Sequence, residues 1–235
     1  MVEIVKGAFF VADTHTPHYS TLFDEMLDAI IEGRLSLPQL FLMGDIFDLL
    51  FAKNRLIYEY NKSNIKRLQR VSEVTSVYYI EGNHDFYLQP LFPNIKIVPF
   101  NKQPLMAKYK NSYIYLSHGD KIDTTPGYRL YTTILRSPIT LWLLKPFGRY
   151  IINRSINYLK SKKICTRIKG FENIISKREK LYPKDAKWIV EGHLHQGKII
   201  NKYVSLPAFA CSNKIAIFDG DGFEFVDINT LLDKR

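Results

Sequence analysis

Five times along this chain an apolar run ends on a cluster of aspartate, asparagine or histidine, and that recurrence limits what the chain can fold into. The clusters are Asp13-Thr14-His15, Gly44-Asp45-Ile46-Phe47-Asp48, Gly82-Asn83-His84-Asp85, His118-Gly119-Asp120 and Gly192-His193-Leu194-His195. They hold five of the six histidines; only His18 lies outside them. The preceding runs, Ala8 to Ala12, Leu40 to Met43, Val77 to Ile80, Tyr113 to Leu116 and Trp188 to Val190, read as buried strands. Ligands placed at the C-terminal ends of several buried strands meet in one crevice, where α/β proteins carry their chemistry.

The intervening sequence agrees with an α/β fold. Leu22, Phe23, Met26, Leu27, Ile30 and Ile31 recur at helical spacing, predicting a helix from about Ser20 to Glu32 with Ser20 as N-cap and Gly33 as stop. A second helix ends near Val74. Short strands are expected at Ile95 to Pro99, Leu105 to Tyr109, Ser112 to Leu116, Lys198 to Ser205, Lys214 to Phe218 and Phe223 to Asp227. Lys110-Asn111 reads as a hairpin turn. Asp219-Gly220-Asp221-Gly222 resembles a metal loop, but a turn is the simpler reading.

With 235 residues the chain can bury one sizeable core. No apolar run approaches the roughly 20 residues of a membrane span, and the N-terminus lacks the basic-then-apolar order of a signal peptide. Cys165 and Cys211 lie in no CxxC or metal spacing, so no disulfide framework is expected and a reducing compartment fits. The net charge of +10 is unevenly spread. Residues 121–184 hold 15 Lys/Arg against Asp123, Glu172 and Glu179, an excess of +12, while the rest of the chain sums to −2. This segment is rich in apolar residues and reads as helical pieces broken at Pro138, Pro146 and Gly170. It is expected to form a cap near the mouth of the site, facing an anionic partner.

Carboxylate, imidazole and amide donors suit Mn, Fe, Zn or Mg. One ion would be held by Asp13, His15, Asp45 and His195, the other by Asp45, Asn83, His118 and His193, with Asp45 bridging. Two divalent ions about 3.5–4 Å apart activate water and neutralise phosphoryl oxygens in an in-line displacement. His84, next to a ligand, should face the substrate and donate a proton or hydrogen bond. Asp48 and Asp85 are candidates for fixing imidazole tautomers. A lone Asp-x-His is noise; the five clusters together define a two-metal phosphoesterase site.

The order of the motifs resembles the calcineurin-like metallophosphoesterase superfamily, over roughly residues 5–230. That resemblance implies two packed mixed β-sheets flanked by helices, a dinuclear site at one edge, and a single domain over 1–235 with a helical basic cap at 121–184. Leu49-Leu50 after Asp48, where protein phosphatases carry Arg-Gly, and the basic insertion are similar to the UDP-2,3-diacylglucosamine diphosphatases of lipid A synthesis. The likeness implies Mn dependence, a lipid-bearing sugar-nucleotide substrate, release of UMP, and peripheral attachment to the anionic cytoplasmic face of the inner membrane. It also assigns substrate contacts to Asn83, His84, His193, Asn157 and Lys160. His84 stands where the best-known branch has Arg, a residue of different reach and charge.

Two other classes stay open. A nuclease, or a phosphodiesterase or pyrophosphatase for soluble nucleotides, would also use basic charge with interleaved aromatics, although no recognised nucleic-acid motif is present and no stable nucleic-acid partner is expected. A non-catalytic scaffold would have lost ligands, and this chain retains all seven.

Overall fold

The structure, a computed structural model, describes residues 1–19, 21–51, 54–122, 126–137, 139–140, 154, 157–158 and 164–233. The predicted N-cap Ser20, the breaks at Pro138 and Pro146, the apolar run beyond Thr140, and Lys160 lie outside these residues.

Fourteen strands alternate with helices among the described residues. They are β1 (Val2–Glu3), β2 (Phe9–Val11), β3 (Gln39–Leu42), β4 (Leu50–Phe51), β5 (Ser76–Ile80), β6 (Asp85–Phe86) and β7 (Lys96–Val98). There follow β8 (Leu105–Tyr109), β9 (Ser112–Ser117), β10 (Ala186–Glu191), β11 (Lys198–Ile200), β12 (Tyr203–Ser205), β13 (Lys214–Phe218) and β14 (Phe223–Asp227). The helices α1 (Thr21–Ile31), α2 (Arg55–Val74), α3 (Pro126–Leu135) and α4 (Phe171–Glu179) matter most for the site.

Two six-stranded mixed sheets result, ordered β1-β8-β9-β10-β12-β11 and β14-β13-β2-β3-β5-β7, with a small β4-β6 pair. In the second sheet β2, β3, β5 and β7 run parallel. In the first, β9, β10 and β12 run parallel. Strands buried on both faces explain why these segments read as unbroken apolar runs.

Side-chain alternation sorts the layers. Phe9, Val11, Leu40 and Leu42 face one core with Phe23, Leu27, Ile65 and Leu68 of α1 and α2. Phe10, Phe41 and Tyr78 point the other way and stack, with ring centroids 4.6 and 4.7 Å apart. They meet Ile114, Leu116, Val190 and Val204 of the first sheet in a second core. Tyr115, Ile189 and Tyr203 on the outer face of that sheet pack against Phe171 and Ile175 of α4. The molecule is thus layered helix, sheet, sheet, helix, and the expectation of two packed mixed sheets holds.

Helix α2 starts at Asn54, whose side chain accepts hydrogen bonds from the amides of Leu56 and Ile57, a cap worth about 1 kcal/mol. Its Asn61 donates to the Leu49 carbonyl at 2.9 Å, and its Asn64 donates to the Thr16 hydroxyl, so the helix braces two motif loops.

Three expectations need correction. The run Lys198 to Ser205 is not one strand: the chain reverses at Asn201, φ +52°, and β11 pairs antiparallel with β12. The cysteines are not unpaired: Cys165 and Cys211 form a disulfide, tying the segment before α4 to the short helix Phe209–Ser212. Of the cap segment's cations, Arg178 is buried and Arg136 mostly so, which removes them from any outward-facing charge. The two turn predictions agree with the structure. Lys110 adopts φ +51° at the β8–β9 reversal, and Asp219 accepts from the amides of Asp221 and Gly222 as an ordinary turn.

Candidate metal centre

Every predicted ligand sits just beyond the C-terminal end of a strand. Asp13 and His15 follow β2, Asp45 follows β3, Asn83 follows β5, His118 follows β9, and His193 and His195 follow β10. The first four come from one sheet and the last three from the other, so the site lies on the seam between the sheets. Asp13, His15 and His195 present donor atoms within 4.8 Å of one another, and so do Asp45, His118 and His193. Asn83 joins the second group through its Oδ1, 3.3 Å from His118 Nε2.

The backbone bends sharply to achieve this. Asp13, His15, Asp45, His193 and His195 all have φ between +48° and +59°. Left-handed backbone is uncommon for residues other than glycine, and such strain concentrates at functional sites. Gly44 supplies close approach: at φ +87°, a Cβ there would lie 2.6 Å from His118 Cγ.

Main-chain carbonyls aim the imidazoles. His118 Nδ1 meets the Met43 carbonyl at 2.9 Å, His195 Nδ1 the Ile164 carbonyl at 3.0 Å, and His84 Nδ1 the Asp48 carbonyl at 2.8 Å. A carbonyl only accepts, so each Nδ1 carries the hydrogen and each Nε2 is turned inward. His118 Nε2 then lies 3.5 Å from Asp45 Oδ2, and His195 Nε2 lies 3.0 Å from Asp13 Oδ1. His15 Nδ1 lies 3.6 Å from Asp48 Oδ1, while its Nε2 is buried without a hydrogen-bond partner among the described residues.

Asp85 has a different task from the one expected of it. Its carboxylate accepts from the amides of Asp45, Ile46, Phe47 and Gly82 at 2.6–3.2 Å and from the Tyr79 hydroxyl at 2.6 Å. It shapes the Asp45 loop rather than an imidazole. Asp48 fixes His84 through its carbonyl and faces His15 with its carboxylate.

The charges interlock. Burial would raise the Asp13 carboxyl, but His195 beside it holds it below the usual range. Asp45, equally buried, is held well below that range by His118 and His84. Against the opposing pull of burial, Asp45 lifts His118 well above the usual imidazole value, and Asp13 lifts His195 to about 9. Burial and the neighbouring His118 push His193 down to about 4. Burial and the Asp45 charge raise Asp85 to about 7.

Without ions, then, protons on His118 and His195 balance two buried carboxylates. Divalent cations meet the same need, and binding them displaces those protons. The mixed oxygen and nitrogen donors, the inward Nε2 atoms and the partnerless His15 Nε2 fit two such ions.

An open cleft of about 200 Å³ lies over the group. Its lining includes Asn83, His84 and His193, three of the predicted substrate contacts. His84 stands beside the ligands with its ring 5.2 Å from that of His15. Asn157 is exposed. Tyr19, Ile164, Thr166, Ile168 and Leu194 complete the wall and were not anticipated. Ile164, Thr166 and Ile168 lie within the basic segment, so that segment reaches the cleft, a path that residue type alone does not reveal. The buried Arg178 was also missed, although its helical spacing from Phe171 and Ile175 signals it.

Residues 8–197 match the family described as calcineurin-like phosphoesterase, and the chain belongs to that family. It is a metal-dependent phosphoester hydrolase; the family uses a dinuclear metal centre, and the two ligand groups above are candidates for one. Among curated proteins it is similar to the UDP-2,3-diacylglucosamine hydrolase of Pseudomonas putida strain F1, 25% identical over 204 residues, covering 80% of this chain and 82% of that protein. The protein of the same name from Photorhabdus laumondii is 26% identical over 201 residues, covering 80% and 81%. Among solved structures, the E. coli phosphoesterase Yfce aligns with a TM-score of 0.48 at 15% identity, over 95% of this chain and 94% of that one.

Proposed function

We propose that the chain hydrolyses the diphosphate of UDP-2,3-diacylglucosamine, giving UMP and 2,3-diacylglucosamine 1-phosphate, with two Mn ions at the site. The observation that carries this reading is the segment between His118 and His193. Within it residues 121–184 carry an excess of +12, and Ile164, Thr166 and Ile168 of that stretch line the cleft over the candidate ligands. On α3, Leu130 and Ile134 are 62% and 49% exposed. Apolar surface beside cations and a phosphoesterase centre suits a substrate with acyl chains and a diphosphate. The names of the curated relatives support the same substrate.

Asp13, His15, Asp45 and His195 would hold one ion, and Asp45, Asn83, His118 and His193 the other. Bound there, the ions supply a nucleophile at neutral pH and neutralise charge on the phosphoryl oxygens. His84 would bind the phosphate: with Nδ1 spent on the Asp48 carbonyl, a proton on Nε2 makes the ring a donor to the phosphoryl or leaving oxygen. Asn83, His193, Asn157 and Lys160 would contribute further contacts.

Residues 121–184 would act as a cap, with their cations meeting an anionic membrane surface at about 1 kcal/mol each. Attachment would be peripheral, on the cytoplasmic face; among the described residues no helix is long and apolar enough to cross a membrane. The test is UMP release from UDP-2,3-diacylglucosamine beside a nucleotide panel and a small chromogenic phosphodiester. Faster turnover of soluble nucleotides than of the lipid would replace this reading with a nucleotide phosphodiesterase.

A further inference from the structure

A buried ionic cluster adjoins two of the candidate ligands in the chain, and none of its residues lines the cleft. Arg178 sits on the buried face of α4, with Phe171 one and Ile175 the other apolar member of that stripe. Its Nε and Nη2 lie 2.8 and 2.6 Å from Glu191 Oε2. The same Nη2 donates to the Gly119 carbonyl at 2.5 Å. Glu191 is fully buried and also accepts from the hydroxyls of Tyr182 and Tyr203.

The two residues that Arg178 grips have telling positions. Gly119 directly follows His118, and Glu191 lies two residues before His193. Those histidines share one ion in the assignment above, and their rings are 5.1 Å apart. The fit is close: at Gly119, φ +114°, a Cβ would lie 3.0 Å from Arg178 Nη2 and 3.1 Å from Glu191 Oε2.

Stability does not explain a charge here, because apolar residues of similar volume often replace a buried ion pair at no loss. What they cannot do is donate in one plane to a carboxylate and a carbonyl together, which a guanidinium does.

We infer that Arg178 is a positioning residue for the ion held by Asp45, Asn83, His118 and His193, because it sets the spacing between the two strand ends that present the histidines. The ion assigned to Asp13, His15, Asp45 and His195 gains nothing from it directly. This rests on the two-ion assignment and is independent of the substrate.

The test is Mn²⁺ titration of the full chain, without substrate, on wild type, Arg178→Met, Arg178→Lys, Tyr182→Phe and His118→Ala. Arg178→Met should weaken one of two ions by about 10–100-fold, the usual weight of a group that orients a ligand, and leave the other within about twofold. Placing Arg178→Met on His118→Ala should add no further loss. Arg178→Lys keeps the charge beside Glu191 but not the fork, and should show an intermediate loss; it carries the test if Arg178→Met does not fold. Tyr182→Phe strips a hydroxyl from the same carboxylate without touching Gly119, and should leave both affinities unchanged. Unchanged affinities in both Arg178 variants, equal weakening of both ions, or an equal effect of Tyr182→Phe would each overturn the inference. A wild type that bound one ion would overturn the two-ion assignment, and the inference with it.

Discussion

Replacing Gly82 by alanine tests the geometry at Asp45, the proposed bridging carboxylate, with a single methyl group. Gly82 does not need left-handed backbone, so the consequence depends on space alone. A Cβ there would overlap Asp45 Oδ1, lie 2.5 Å from the Asp45 amide nitrogen and 3.0 Å from Asp85 Oδ1. Ordinary contact begins near 3.4 Å, so the Asp45 backbone must retreat by about 0.9 Å. It cannot do so freely, because Asp85 pins the amides of Asp45, Ile46 and Phe47 together with that of Gly82. Overpacking of this kind costs about 1–3 kcal/mol of stability. With Asp45 as the proposed bridge between the two ions, each should bind at least tenfold more weakly, the low end for a disturbed supporting shell. Chemical denaturation and Mn²⁺ titration would read the two effects. Gly127→Ala is the control: among the described residues nothing lies within 4 Å of its added Cβ, and alanine in α3 should add up to about 1 kcal/mol. If Gly82→Ala bound both ions like wild type, the reasoning from Asp45 would be refuted.

Asp45→Ala should abolish uptake of both ions, whereas Asp13→Ala should retain one; elemental analysis of the purified proteins would show equal stoichiometry if Asp45 does not bridge. His84→Ala should lower turnover by about 10²–10⁴-fold with two ions still bound, and loss of metal from it would make His84 a ligand. His84→Arg with equal or higher turnover on the lipid diphosphate would show that His84 serves as a cation rather than as a proton donor. Reducing the disulfide between Cys165 and Cys211, 46 residues apart, should cost about 2–4 kcal/mol in denaturation experiments; two titratable thiols in the untreated protein would contradict the pairing.

The convergence of the seven candidate ligands was legible because strand ends follow from simple rules. An apolar run of strand length and then a sudden Asp, Asn or His is a one-dimensional signal, and it recurs five times. What supports those ligands was not legible, because it is main chain or distant in sequence. Met43, Asp48 and Ile164 act through carbonyls, which every residue has, so residue type says nothing. Left-handed backbone at Asp13, His15, Asp45, His193 and His195 is imposed by tertiary contacts against local preference. The strand break at Asn201 sits in a run of strand formers, where one asparagine is a weak turn signal. Arg178 was counted with the surface charge because charge tallies ignore helical phase; its spacing from Phe171 and Ile175 held the answer. The Cys165–Cys211 pair, one before α4 and one after β12, shares no spacing rule that could announce it.

His118 and His193 close two neighbouring parallel strands, paired from Tyr113 with Ala186 to Ser117 with Glu191. Parallel neighbours require a crossover connection, and residues 118–185 are that connection. Its two ends are pinned by main-chain pairing whatever lies between them, and lengthening such a connection costs only the logarithm of its length. The length of this connection is therefore free to vary while the candidate ligands keep their places, provided that Arg136, which holds Asp120 and the Gly82 carbonyl, Ile164, whose carbonyl meets His195, Cys165 and Arg178 remain. Choice of substrate and cleavage of the bond can then diverge independently within one chain.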